Sequence, residues 1–236
     1  MPLFVSHRQL ASRKSFPRAQ GAWCEDSAGF TEIRLYGGYQ TPPRQYATDV
    51  RLHMQEIGNM QWAAIQDWMC EPFMLAKTGL SVEEHQSRTI ASYLELMMEA
   101  PEVPWVPVIQ GWEEADYLRH VDMYDRAGID LRTLPTVGIG SVCRRQGVKG
   151  AVSVVVRLAN EGIQLHGFGL KTTALKWLEP FLMSSDSMAW SYQARKQRAR
   201  CGVPSASCGN HMHYALDWRE NVLATAGTDS FQMRFW

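Results

Sequence analysis

Short apolar runs alternate along the chain with polar or glycine-containing tips, and each tip leads into a stretch of helical periodicity. The runs predict strands over residues 2–5, 22–24, 61–65, 105–109, 136–139, 164–168 and 181–184. Residues 48–57 carry apolar Val50, Leu52, Met54 and Ile57. Residues 81–99 open on Ser81 with Glu84 three positions on, the spacing of a capping box. Within that stretch Ile90, Tyr93, Leu94, Met97 and Met98 recur at helical spacing. Residues 113–127 present Tyr117, Leu118, Val121 and Tyr124 and stop at Gly128, a natural helix terminator. Helices over 148–160 and 172–178 complete the series.

Strands alternating with helices imply βαβ units and a mainly parallel sheet. About seven readable units predict an α/β fold of the (β/α)8 TIM-barrel type with one unit degenerate, a single domain over residues 1–236. The nucleotide-binding alternatives lack their signatures. No Gly-x-Gly-x-x-Gly follows the first strand, and no Gly-x-x-x-x-Gly-Lys occurs. Residues 195–210 are basic, then small and polar, and are expected to be irregular, within a small Cys/His-containing C-terminal segment that extends to residue 214.

Composition narrows the setting. The chain has 236 residues, 45% of them hydrophobic and 20% charged, as in an ordinary soluble globular protein. Its formal net charge is zero, so any contact with nucleic acid must come from a local basic patch. No apolar run approaches the roughly 18 residues of a membrane span, and the first residues are charged too soon for a signal peptide. Five scattered cysteines do not form a disulfide framework. A reducing, cytoplasmic setting and no membrane partner are therefore expected. The nine tryptophans and twelve methionines suit a well-filled core, with some stacking surfaces as the alternative.

In a parallel barrel the site is built at the C-terminal ends of the strands. The predicted ends carry Ser6-His7, Glu25-Asp26-Ser27, Gln66-Asp67, Gln110-Gly111, Gly138-Ile139-Gly140-Ser141, His166-Gly167 and Ser185-Asp186. Each has an ordinary reading: Asp26 and Ser27 as a turn, Asp67 or Asp186 as a helix cap, the glycines as turns. Carboxylates converging on one face cost repulsion and desolvation, a cost usually tolerated where function uses it. An enzyme with a carboxylate-rich site is the reading this favours.

Asp26-Ser27-Ala28-Gly29-Phe30 resembles the Asp-Ser-Gly-Gly-Phe motif of the tRNA-guanine transglycosylase superfamily. Gln66-Asp67 through Cys70, Gln110-Gly111, residues 138–140 and Asp186 follow in that family's order. The fuller wording over 66–72, 108–112, 138–146, 166–171 and 184–191 is most similar to the 7-deazaguanine DNA-modifying branch, DpdA. The resemblance implies a pentosyltransferase that exchanges guanine in DNA for a 7-deazaguanine such as preQ0 or a derivative. It implies Asp186 as the nucleophile at C1′ and Asp26 as general acid/base. Asp67, Gln110 and Gly140 would recognise the base, with Ser27 and Ser141 beside them and Cys70 as a further pocket member. Arg195 stands where the family contacts phosphate, joined here by Lys196, Arg198 and Arg200; a solvated helix face is the other reading of this run. Trp68, Trp112 and Trp190 adjoin these motifs and either stack on a base or pack at the rim.

The chain departs from the family at the metal. The tRNA enzymes carry zinc on Cys-x-Cys-x-x-Cys and a downstream His, whereas residues 200–214 here offer Cys201, Cys208, His211 and His213. Two thiolates and imidazoles suit a structural tetrahedral zinc, and ordinary surface cysteines and histidines are the alternative. DNA, a preQ0-like base and accessory DNA-modification proteins are the expected partners, in a bacterial or phage-infected cell. Two rival functions share the motifs: a queuosine-type tRNA-guanine transglycosylase, and a non-catalytic partner subunit. Retention of both Asp186 and Asp26 argues against the second.

Overall fold

The computed structural model describes residues 2–142, 148–170, 172–196, 207–226 and 234–235. Among the described residues nine short strands are interspersed with helices: β1 (Leu3–Ser6), α1 (His7–Leu10), β2 (Trp23–Asp26), α2 (Gly29–Tyr36), α3 (Pro43–Ile57), β3 (Met60–Ala64), α4 (Pro72–Thr78) and α5 (Val82–Glu99). There follow β4 (Trp105–Val106), β5 (Val108–Ile109), α6 (Glu114–Arg126), β6 (Val137–Ile139), α7 (Val148–Asn160), β7 (Leu165–Gly167) and α8 (Thr172–Leu178). The chain ends in β8 (Ser184–Ser185), α9 (Ala189–Arg195), α10 (Met212–Ala226) and β9 (Arg234–Phe235). The strands form two parallel sheets in sequence order, β1-β2-β3-β4 and β5-β6-β7-β8-β9. Only Pro107 separates β4 from β5, and a residue without an N–H cannot continue a ladder. The architecture is thus α/β with two parallel sheets. The expected closed barrel would need a β9–β1 ladder, and the ladders among the described residues do not include one.

Period-2 alternation assigns the two strand faces. In β3 and just beyond it, Ala63 and Ile65 face the large core built with the helices, which runs from Tyr46 to Leu182. Trp62 and Ala64 face the opposite way, toward Cys24 and Val106, with Phe4 and Phe168 packed against them. Phe4 of β1 lies 5.3 Å from Trp62 and 5.9 Å from Phe168, and Trp62 lies 4.8 Å from His166 of β7. Side chains from both sheets therefore share one interior, and strands buried on both faces read as apolar runs, as they do in the sequence.

Helix-borne tyrosines hold carbonyls on the strands and at their C-terminal ends. Tyr46 of α3 donates to Ala64 O (2.8 Å), Tyr124 of α6 to Val108 O (3.0 Å) and Tyr117 of α6 to Gly140 O (2.9 Å). All three rings are fully buried. Tyr124→Phe keeps the ring and leaves a buried carbonyl short of a donor, so it is expected to cost about 1 kcal/mol. The measurement is the urea midpoint at constant slope; an unchanged midpoint would show that the carbonyl finds another partner.

The predicted elements are present with shifted bounds, and the Ser81–Glu84 capping box forms in both directions. Four helices longer than one turn went unpredicted. α2 starts from Ala28 in the left-handed region (φ 64°) and has no side-chain cap. α4 starts at Pro72, a first-turn proline that was a readable signal. α9 and α10 flank the segment expected to be irregular: among the described residues of 195–210 only Arg195 is helical, as the last residue of α9, while His213 of the expected metal group lies in the first turn of α10. The last expected strand is shorter, because Pro180 lies in a 3-10 turn over Glu179–Phe181 and β8 begins only at Ser184. Among the described residues no helix is long and apolar enough to cross a membrane.

Candidate active site

All parallel strands present their C-terminal ends on one side, and there the side chains singled out in the sequence meet. Asp26 ends β2, Asp67 follows β3, Gln110 follows β5, Gly140 and Ser141 follow β6, and Asp186 follows β8. Asp67 Oδ2 accepts from Gln110 Nε2, and its Oδ1 accepts from Ser27 Oγ at 3.5 Å. Gln110 Oε1 accepts from Ser141 Oγ at 2.8 Å. The carboxamide orientation follows from chemistry, since its N–H must face the carboxylate and its oxygen the hydroxyl. Gly140 leaves room for this. A Cβ there would stand 2.2 Å from Gln110 Nε2, so the glycine makes space for the Gln110 side chain. Ser141 adopts φ 57°, strained for a residue with a side chain, and its hydroxyl is aimed into the group as a result.

The sequence reading missed Glu71. It is 2% exposed, and its Oε2 lies 2.8 Å from Ser141 Oγ. That hydroxyl also accepts from the Cys70 N–H at 3.0 Å. A hydroxyl carries one proton, so Ser141 donates to Gln110 or to Glu71 at any moment. Tyr39, also unanticipated, donates to Asp67 O at 2.9 Å and lies 3.1 Å from Ser27 Oγ. Cys70 is buried at the rim of the group, and burial pushes its thiol well above the ordinary range, so it is an inert neutral thiol at neutral pH.

The two central carboxyls are held away from their usual ionisation. Burial raises Asp26 to about 7, helped by the charges of Asp67 and Asp186 and opposed by a hydrogen bond from the Ala28 N–H. Burial raises Asp67 to about 6, opposed by the bond from Gln110. Near neutrality Asp26 can therefore both give and take a proton, while Asp67 is mostly an anion.

Asp186 does not cap a helix. The residue before α9 is Met188, with no side-chain cap, and Asp186 Oδ1 instead accepts from the Gly169 N–H at 2.8 Å. His166 Nε2 lies 3.4 Å from the same oxygen, and its Nδ1 is 2.7 Å from Ser184 Oγ. This Nε2 is buried and makes no well-aligned hydrogen bond; the 3.4 Å approach to a carboxylate is the contact that accounts for it. With Ser184 donating to Nδ1, the imidazole presents Nε2–H to Asp186. Oδ1 is thus engaged twice, by the Gly169 N–H and by His166. His166 stood in a quoted motif without a role, because its partner is 20 residues away.

Arg195 and Lys196 are exposed at the end of α9, and the Lys196 ammonium sits 4.2 Å from the Tyr192 ring centre. Arg198, Arg200 and Cys201 lie outside the described residues. Trp68 is half-buried, with the Arg88 guanidinium over its ring at 4.5 Å and His85 at its edge; it packs within the protein. Cys208, His211 and His213 offer ligand atoms that lie within 4.8 Å of one another, with the two imidazole centres 5.5 Å apart. No curated protein matches the chain. The sequence model of DpdA, DeoxyPurine in DNA protein A, matches residues 1–233 of the 236, and the chain therefore belongs to the DpdA family.

Proposed function

We propose that this protein is a DNA-guanine transglycosylase, which replaces guanine by a 7-deazaguanine such as preQ0 through a glycosyl ester of Asp186. The observation that carries the reading is the meeting of Asp26 and Asp186 beside the Asp67–Gln110–Ser141 group in a member of the DpdA family. Two carboxyls with separated roles are what double displacement at a sugar carbon requires. In the first step Asp186 Oδ2 attacks C1′ as the C1′–N9 bond breaks, and the protonated Asp26 supplies the proton the departing guanine needs. In the second, Asp26 takes the N9 proton of the incoming 7-deazaguanine, whose N9 attacks C1′ and frees Asp186. Each step inverts C1′, so the exchange retains configuration.

Asp67 accepts from the N–H groups on the base edge, and the second amide N–H of Gln110 donates to the ring carbonyl. Both groups already hold each other in place, so little ordering remains for the base to impose. Arg195, Lys196 and Arg198 contact phosphates. In a duplex the target nucleotide must leave the stack, at a cost of a few kcal/mol that pocket contacts offset. The shared interior of the two sheets supports a closed (β/α)8 barrel spanning the whole chain as one domain. Cys208, His211 and His213, with Cys201, would hold a structural zinc: one buried thiolate and two imidazoles form a donor set that zinc takes. Its chemistry would be to cross-link the start of α10 to the preceding chain.

Nucleosides from DNA and tRNA of cells expressing the protein with a deazaguanine supply decide the substrate. The deoxynucleoside of a 7-deazaguanine is expected in DNA; deazaguanine confined to tRNA sinks the reading and favours the tRNA rival. A pH effect on recognition is also expected. Asp67 is raised to about 6, so below that pH it gains a proton and one of its two acceptor oxygens becomes a donor. The apparent affinity for the free base should therefore fall about tenfold per pH unit below 6, read by titrating base into protein at pH 5 to 7.5. A flat profile removes Asp67 from recognition.

A further inference from the structure

Away from the pocket, three buried side chains of the metal-ligating kind converge. His7 in α1, Glu25 in β2 and His53 in α3 are 5%, 0% and 2% exposed. His7 Nδ1 and His53 Nδ1 lie 2.9 and 3.0 Å from the same atom, Glu25 Oε1. One ligand atom from each residue lies within 4.8 Å of the other two. Hydrogen bonding among neutral imidazoles does not complete this cluster. A His7 that donates from Nδ1 is left with a bare acceptor at Nε2. That atom is buried with no hydrogen-bond partner among the described residues, and it faces another acceptor, Asp49 Oδ2, at 3.4 Å.

A bound cation resolves both ends. The two Nδ1 lone pairs and Glu25 turn to the metal, the Nδ1 protons are absent, and the Nε2–H of His7 points at Asp49. A carboxylate behind a metal-bound imidazole is the usual outer partner that sets tautomer and orientation. The charges also close, since a divalent cation offsets Glu25 and Asp49 where the second sheet strand meets α3. We propose that His7, Glu25 and His53 bind one zinc-class divalent cation, with Asp49 holding the His7 imidazole from outside. Two imidazoles and a carboxylate suit zinc, whereas magnesium and calcium favour oxygen donors. The cation would tie β1–α1, β2 and α3 together at the residue before Asp26. The site is distinct from the Cys208 group and does not depend on the transglycosylase reading.

The test uses the full chain with Cys208→Ser, which removes the buried thiolate of the other candidate group. Zinc and cobalt(II) are titrated into the metal-stripped protein, followed by calorimetry and the cobalt visible spectrum. Binding of about one equivalent is expected, with a cobalt spectrum lacking a thiolate charge-transfer band. Adding His53→Gln, which can still donate to Glu25, should abolish it, and adding Asp49→Asn should weaken it about 10- to 100-fold. No binding by folded Cys208→Ser protein, a thiolate band, or binding unchanged by His53→Gln overturns the proposal. Should the His53 variant fail to fold, the Cys208→Ser titration decides alone, because it leaves the cluster intact.

Discussion

Asp186→Asn is expected to abolish the covalent protein–DNA species that denaturation traps during turnover. The substitution is chosen for its shape. An asparagine Oδ1 can still accept from the Gly169 N–H that Asp186 Oδ1 accepts from at 2.8 Å, so the loop conformation is preserved. The atom that changes is Oδ2, the oxygen proposed to attack C1′, which becomes an amide nitrogen. Loss of a nucleophile from an organised site costs on the order of 10⁴-fold or more, so turnover should fall below detection. Asp186 also contributes repulsion that raises Asp26. Removing its charge should leave the fold at least as stable, and an unchanged or higher melting temperature would separate lost chemistry from lost structure. An adduct that persists in the folded variant places the nucleophile elsewhere.

Asp26→Asn is expected to lower kcat by about 10²- to 10⁴-fold, the usual span for a positioned acid or base. Asparagine resembles the neutral carboxyl that burial favours near pH 7, so the pocket should keep its shape while proton transfer stops. The distinguishing readout is the split between constants. Asp26→Asn should act mainly on kcat with KM for the base little changed. Asp67→Asn, whose parent accepts from Gln110 and Ser27, should act mainly on KM. A rate within about fivefold of the parent in Asp26→Asn would remove this residue from general acid/base work. If both variants raise KM alone, Asp26 belongs to recognition as well.

Asp26, Ser27, Asp67, Gln110, Gly140, Ser141 and Asp186 were legible because each ends or follows an apolar run. Parallel strands align all such ends on one side, so order along the chain converts directly into proximity. Glu71 and Tyr39 were not legible. Glu71 precedes a proline that opens α4, which reads as punctuation, and its partner Ser141 is 70 residues away. α10, which carries His213, was not legible because its apolar residues do not line up in a strong stripe.

The sequence by itself determined the alternation of strands and helices, the parallel order, the polar strand ends and the family resemblance. These depend on local periodicity and on residue types, which are properties of short windows. Only the tertiary structure decided that Asp186 bonds Gly169 and meets His166 rather than capping a helix. It alone decided that Gly140 makes room for Gln110, and that His7, Glu25 and His53 converge. Among the described residues it also grouped the strands in two parallel sheets, with Pro107 between β4 and β5. Such outcomes depend on which distant groups burial forces together, and on whether each finds a donor, an acceptor or an opposite charge there. Those conditions exist only once the chain has packed.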